Sequence, residues 1–207
     1  DGIYSYTVNV NGSSGAATGA SASYAFANLA VDKTAPTATA SITAIQDDAG
    51  SVTAAVAAGG VSDDTSPLIK GALSAALQPG ERIVVMRQDG AGAATEVSGP
   101  EGIRTGTLDW SFADSGLQDG QTYTYTAYVA DAAGNLSPAV GSYAVTIDTS
   151  APVVQSVAFA SAVGAVNGLL SAGGTVQVKV TLSEATNVVG SPQLGLLVDG
   201  QTVQAIY

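Results

Sequence analysis

"DGQTYTYTAYVADAAGN", residues 119–135, is the stretch that decides the fold. After the Asp119-Gly120 start, Tyr123, Tyr125, Ala127 and Val129 fall on one side and mostly Thr on the other. A period of two with β-branched and aromatic residues is the pattern of a half-buried strand. The stretch has a second copy, "DGIYSYTVNVNGSSG" (1–15), with Tyr4 and Tyr6 opposite Tyr123 and Tyr125 and Val10 opposite Val129. Downstream, "ASYAFANLAVDKTAP" (22–36) matches "GSYAVTIDTSAP" (141–152), Tyr24 meets Tyr143, and both run into an Asp, a small or polar pair, then Ala-Pro. One terminal hairpin is therefore written twice, a module length apart, which is how a tandem array reads.

Working outward, residues 37–151 form one unit of the size of a seven-stranded sandwich, ~100 residues. Its strands are expected at 38–45, 67–74, 79–90, 106–113, 122–130 and 142–148, each bounded by Gly, Pro, Asn or Asp. Helical crossovers with apolar residues three and four apart are missing, which excludes a parallel βαβ design. Residues 1–36 match only closing strands of a preceding unit, and 152–207 open a following one. There "TVQVKVTLSE" (175–184) puts Val176, Val178, Val180 and Leu182 on one face, and "LGLLVDGQTVQAIY" reads as a hairpin on Asp199-Gly200. The start, with no charged-then-apolar leader, reads as the middle of something longer.

Composition narrows the chemistry. There are 25 Gly against 23 charged residues, and no Cys or His. That excludes disulfides, Cys/His zinc sites, thiol nucleophiles and His-based triads. No stretch reaches the ~20 apolar residues of a membrane span. A net charge of −11 makes nucleic acid and anionic membranes poor partners. Catalysis is not expected: the acids sit in Gly- or Asp-marked turns without an aromatic cleft, and "GSSGAATG" (12–19) fits no phosphate-loop spacing. Trp110 and Phe112 could stack a sugar, but their alternating neighbours put Trp110 on a core-facing edge. Tyr128 is the aromatic expected to face outward.

The combination "DDAGSV…GGVSDDTSPLIKGALSAALQPGERIVVM…W-S-F…L-DG-YTYTAYVADAAGNLSP…VTIDTSAP" resembles the bacterial Ig-like repeats of giant surface adhesins, including biofilm-associated and RTX-type proteins. The likeness covers 37–151 and, as closing strands, 1–36; "VTLSEATNV" is similar to the opening half of a sister type. The resemblance implies an all-β chain of tandem immunoglobulin-like β-sandwiches on a secreted, cell-surface protein. Its modules act as an extender, with calcium at the joints and a host or matrix surface met by other parts of the parent protein.

The acids fit such a joint or plain solvated turns, and both readings are open from sequence. Adjacent carboxylates repel unless a cation or strong donors compensate. Asp47-Asp48 and Asp63-Asp64 flank a strand-sized segment, 49–62, and are expected at one sandwich end, with Asp32 joining that same pole. Asp131 and Asn135 add oxygen ligands, and Asp148 marks the exit. In the N-terminal copy, Asn11 or Gly12 replaces Asp131 and Ser13-Ser14-Gly15 replaces "AAGN", which puts a site there in doubt. Two rival readings stand beside the stalk. One is a filament subunit whose residues 1–36 complete 152–207 of a neighbour; the other is a glycan- or protein-binding module.

Overall fold

The computed structural model describes residues 2–10, 22–50, 53–167, 169–186, 188–198 and 200–206. The chain is all-β, with no helix among the described residues. It divides into two compact units, 1–149 and 150–207. The expectations for residues 11–15 and 12–19 and for Asp199 concern positions that lie, wholly or in large part, outside the described residues.

The first unit opens with a hairpin, β1 (Gly2–Val10) and β2 (Ala22–Val31), which forms a two-stranded sheet by itself. Two larger sheets follow. One has the order β4 (Ala55–Val56), β3 (Ala40–Gln46), β6 (Leu68–Leu73), β9 (Asp109–Ala113). The other runs β5 (Gly60–Ser62), β11 (Tyr143–Ile147), β10 (Thr122–Ala130), β7 (Arg82–Asp89), β8 (Thr95–Glu96). All neighbours in them are antiparallel except β5 and β11.

These sheets share one core. Ile45, Ile69, Leu73 and Trp110 from the first meet Ile83, Val85, Tyr123, Tyr125, Val129 and Val145 from the second. Alternation explains why: β10 buries Tyr123, Tyr125, Ala127 and Val129 while Thr124, Thr126 and Tyr128 are half-exposed. Trp110 is 4% exposed and belongs to the core, and Phe112 packs against it. A large indole fits because residue 71 is glycine. A Cβ there would fall inside contact distance of Trp110 Cε2 and Cζ2 and of the Ser41 carbonyl.

The second unit holds two hairpins, β12 (Val154–Val166) with β13 (Leu169–Leu182), and β14 (Gln193–Val198) with β15 (Gln201–Ile206). In the connections between them Asn167 has φ 54° and Gly200 φ 74°, the left-handed backbone that hairpin turns favour. The strand expected at 175–184 is the C-terminal part of β13. On its apolar face Val176 and Val180 are 40% and 42% exposed while Val178 and Leu182 are half-buried, and Phe159 on β12 is 79% exposed.

Candidate sites at the two poles of the sandwich

Strand direction fixes which acids can meet. β10 pairs Thr122 with Thr146 of β11, and β11 sets Ile147 beside Ser62 of β5. Ser62, Asp63 and Asp148 therefore lie at the Thr122 end of β10, and the Asp148 N–H donates to the Ser62 carbonyl at 2.9 Å. Asp131 lies past the opposite end. Nine strand residues at ~3.3 Å each separate the two poles by ~30 Å.

At the trailing pole the two Asp pairs do come together. The segment between them is not one strand: β4 carries it out and β5 brings it back, with Gly60 N–H donating to the Ala57 carbonyl in the turn (2.8 Å). The Ser62 hydroxyl donates to Asp47 Oδ2 at 2.7 Å, and Asp47 Oδ1 accepts the Ala49 N–H. Asp64 Oδ1 accepts the Ser66 N–H at 2.7 Å and its Oδ2 the Asp48 N–H at 3.4 Å. Asp47 and Asp64 are buried, 6% and 4% exposed, with N–H and O–H donors answering their charge; Asp48 and Asp63 are exposed. The compensation that adjacent carboxylates need is thus met by protein donors at the buried member of each pair.

The leading pole holds a separate set. Asp131 Oδ1 accepts the N–H groups of Ala133 and Asn135, both at 2.9 Å, and its Oδ2 accepts Asn135 Nδ2 at 2.8 Å. The side-chain bond from Asn135 is the main reason the Asp131 carboxyl is held below its usual pKa. Asn135 Nδ2 also donates to the Asp32 carbonyl at 3.2 Å. Asp32 therefore joins Asp131 and Asn135, not the Asp47/Asp64 cluster. The reason is length: β3 carries the chain seven residues, ~23 Å, from the Asp32 side to Asp47.

A calcium ion asks for six to eight oxygens. The donor chemistry at both poles is right for it, all hard oxygen. Among the described residues, however, no group of three or more acids is arranged to hold a metal. At the leading pole the Asn135 amide nitrogen, a donor, lies between two of the oxygens that a cation would use.

One polar cluster escapes the sequence reading. Asp114, 8% exposed, accepts Arg87 Nη1 at 3.0 and 3.1 Å, the Tyr125 hydroxyl at 2.7 Å and the Ser115 N–H at 2.8 Å. Arg87 also pairs with Asp89 and lies 5.3 Å from the Tyr123 ring centre. Burial, then the bond to Asp114, pushes the Tyr125 hydroxyl above the usual tyrosine range. Burial pulls Arg87 down, but its bonds to Asp89 and Asp114 outweigh that and hold it above the usual arginine range. The signal was parity: Arg87 shares its strand side with Ile83 and Val85, so a charge on an inward position demands a partner. The cluster ties the two sheets together and is structural.

Against known proteins, no family model matches the chain, and neither a curated protein nor a solved structure does.

Proposed function

We propose that the chain is an extender segment of a secreted bacterial surface adhesin, built of tandem Ig-like sandwiches in line. The observation that carries this is the doubled closing hairpin with its Asp-x-x-Ala-Pro mark, placed at 1–36 and again at 119–152. The strand order supports the Ig-like part. Taken along the chain, β3, β6 and β9 stand as A, B and E of one sheet, and β7, β10 and β11 as C, F and G of the other. Tyr123, at the start of β10, accepts the Gln118 N–H on its hydroxyl at 2.8 Å, a tyrosine-corner arrangement. Proline after each mark denies a ladder donor and ends one sheet before the next begins.

Calcium at the joints is the second half of the proposal. The carboxylates would be Asp48, Asp63 and Asp148 at the trailing pole, with Asp47 and Asp64 behind them, and Asp131 with the Asp32 carbonyl and Asn135 at the leading one. The ion would neutralise clustered acids and lock neighbouring modules. Binding at a hundred times Kd adds about 2.7 kcal/mol. At ~4 °C per kcal/mol for a domain of this size, the midpoint should rise by about 10 °C in calcium relative to chelator. An unchanged midpoint removes the ion and leaves the tandem sandwiches, which small-angle scattering tests separately: an elongated particle is expected, and a collapsed globule would end the stalk.

The exposed apolar residues of β12 and β13, Phe159 above all, favour a second reading, a filament subunit in which 1–36 of one copy completes 152–207 of the next. Sedimentation separates the two, since a strict monomer across concentration rejects the filament.

A further inference from the structure

Of six Lys and Arg in a chain of net charge −11, two converge on one cleft of about 550 Å³, which Lys70 and Arg104 line together. Arg82 and Arg87 are engaged in ion pairs; Lys70 is not, and among the described residues its side chain has no hydrogen-bond partner. Among the described residues the Arg104 side chain reaches only the Glu81 carbonyl, at 3.4 Å.

The cleft is built on the outer face of β3, β6 and β9. Register places Lys70 beside Ser111, and beside the point in β3 where pairing slips between Ile42 and Ala44. Thr43 is the extra residue of that bulge and turns its side chain outward. Bulges re-aim side chains in this way. Thr43, Lys70 and Ser111 thus form a row across three strands, two strand spacings or ~10 Å wide. Asp109 stands on the same face as Ser111, one position pair along, and Thr105 joins Arg104 in the wall.

We propose that this cleft is a binding site for an acidic sugar unit, a ring carrying a carboxylate among hydroxyls. The two cations face the carboxylate, while Asp109 and the Thr and Ser hydroxyls exchange hydrogen bonds with the ring hydroxyls. Asp109 selects against a bare small anion, which it would repel; a neutral sugar leaves Lys70 and Arg104 unanswered. The site uses none of the polar joints and stands or falls independently of the stalk.

The test is an amide NMR titration of the full chain with galacturonic acid trimer, the neutral galactose trimer, and sulfate. Shifts confined to residues 43, 68–71, 103–105 and 109–111 are expected with the acidic trimer alone. Lys70→Ala should weaken binding at least fivefold without moving the thermal midpoint, since Lys70 has no partner to lose. Asp109→Ala should let sulfate bind where it did not before. Equal binding of the neutral trimer, wild-type sulfate binding as tight as the acidic trimer, or no shifts at 20-fold excess over ~1 mM protein each overturn the proposal.

Discussion

Asp114→Asn removes a charge and almost no volume, so it isolates the electrostatics of the Arg87–Asp114–Tyr125 cluster. The carboxylate accepts four bonds: two from Arg87 Nη1, one from the Tyr125 hydroxyl and one from the Ser115 N–H. An asparagine retains one oxygen and turns an amide N–H₂ toward groups that are themselves donors. Bonds to a charged group contribute ~1.5–3 kcal/mol and neutral ones ~0.5–1.5, so the Tyr125 bond, now neutral, loses about 1 kcal/mol, and Arg87, which keeps its charge but loses an anionic partner and one acceptor oxygen, loses about as much. The displaced donor adds part of another. Arg87 keeps Asp89, whose side chain is 55% exposed, so the total stays below the 3–5 kcal/mol of an orphaned buried charge. About 2–3 kcal/mol is expected, or ~8–12 °C in the midpoint at ~4 °C per kcal/mol. Trp110, the single tryptophan, sits in this core and reports the unfolding by its emission in a urea or thermal titration. A double-mutant cycle with Tyr125→Phe should show coupling above 0.5 kcal/mol. A loss under 0.5 kcal/mol, or simple additivity, would refute the claim that Asp114 joins the sheets.

Gly71→Ala should cost about 3 kcal/mol by overpacking, since its methyl group would collide with the Trp110 indole and the rigid Ser41 carbonyl; a loss below ~1 kcal/mol by the same emission titration would contradict that packing. Alkaline pH should weaken the sandwich through Tyr125. Its hydroxyl is raised in the folded protein, so above pH ~10 the unfolded chain binds fewer protons and stability falls by up to ~1.4 kcal/mol per pH unit. Below pH 10 that contribution is complete and constant; Tyr125→Phe should flatten the urea-midpoint profile between pH 9 and 11, and an unchanged slope would reject the assignment.

Alternation made the long strands legible. β10 shows four inward residues in strict register, and the strands expected at 67–74, 106–113 and 142–148 contain β6, β9 and β11. The two- and three-residue strands β4, β5 and β8 were not legible, because a period cannot be read from so few positions. That blindness hid the out-and-back path of residues 49–62, although the meeting of the two Asp pairs was still foreseen. Asp32 was assigned to the wrong pole for a different reason: placing it needs the direction of β3, which pairing partners determine. Asp114 looked like one more turn aspartate after "DWSFA", since only its cross-sheet neighbour Arg87 makes it special.

The proposed joint follows from the repeat and the pole geometry together. Asp148 occupies in the second mark the place that Asp32 holds in the first. Asp32 offers its carbonyl to Asn135, a residue of the module that it leads into. A joint in a tandem array would therefore gather the trailing acids Asp48, Asp63 and Asp148 from one module and an Asp131/Asn135 pair from the next.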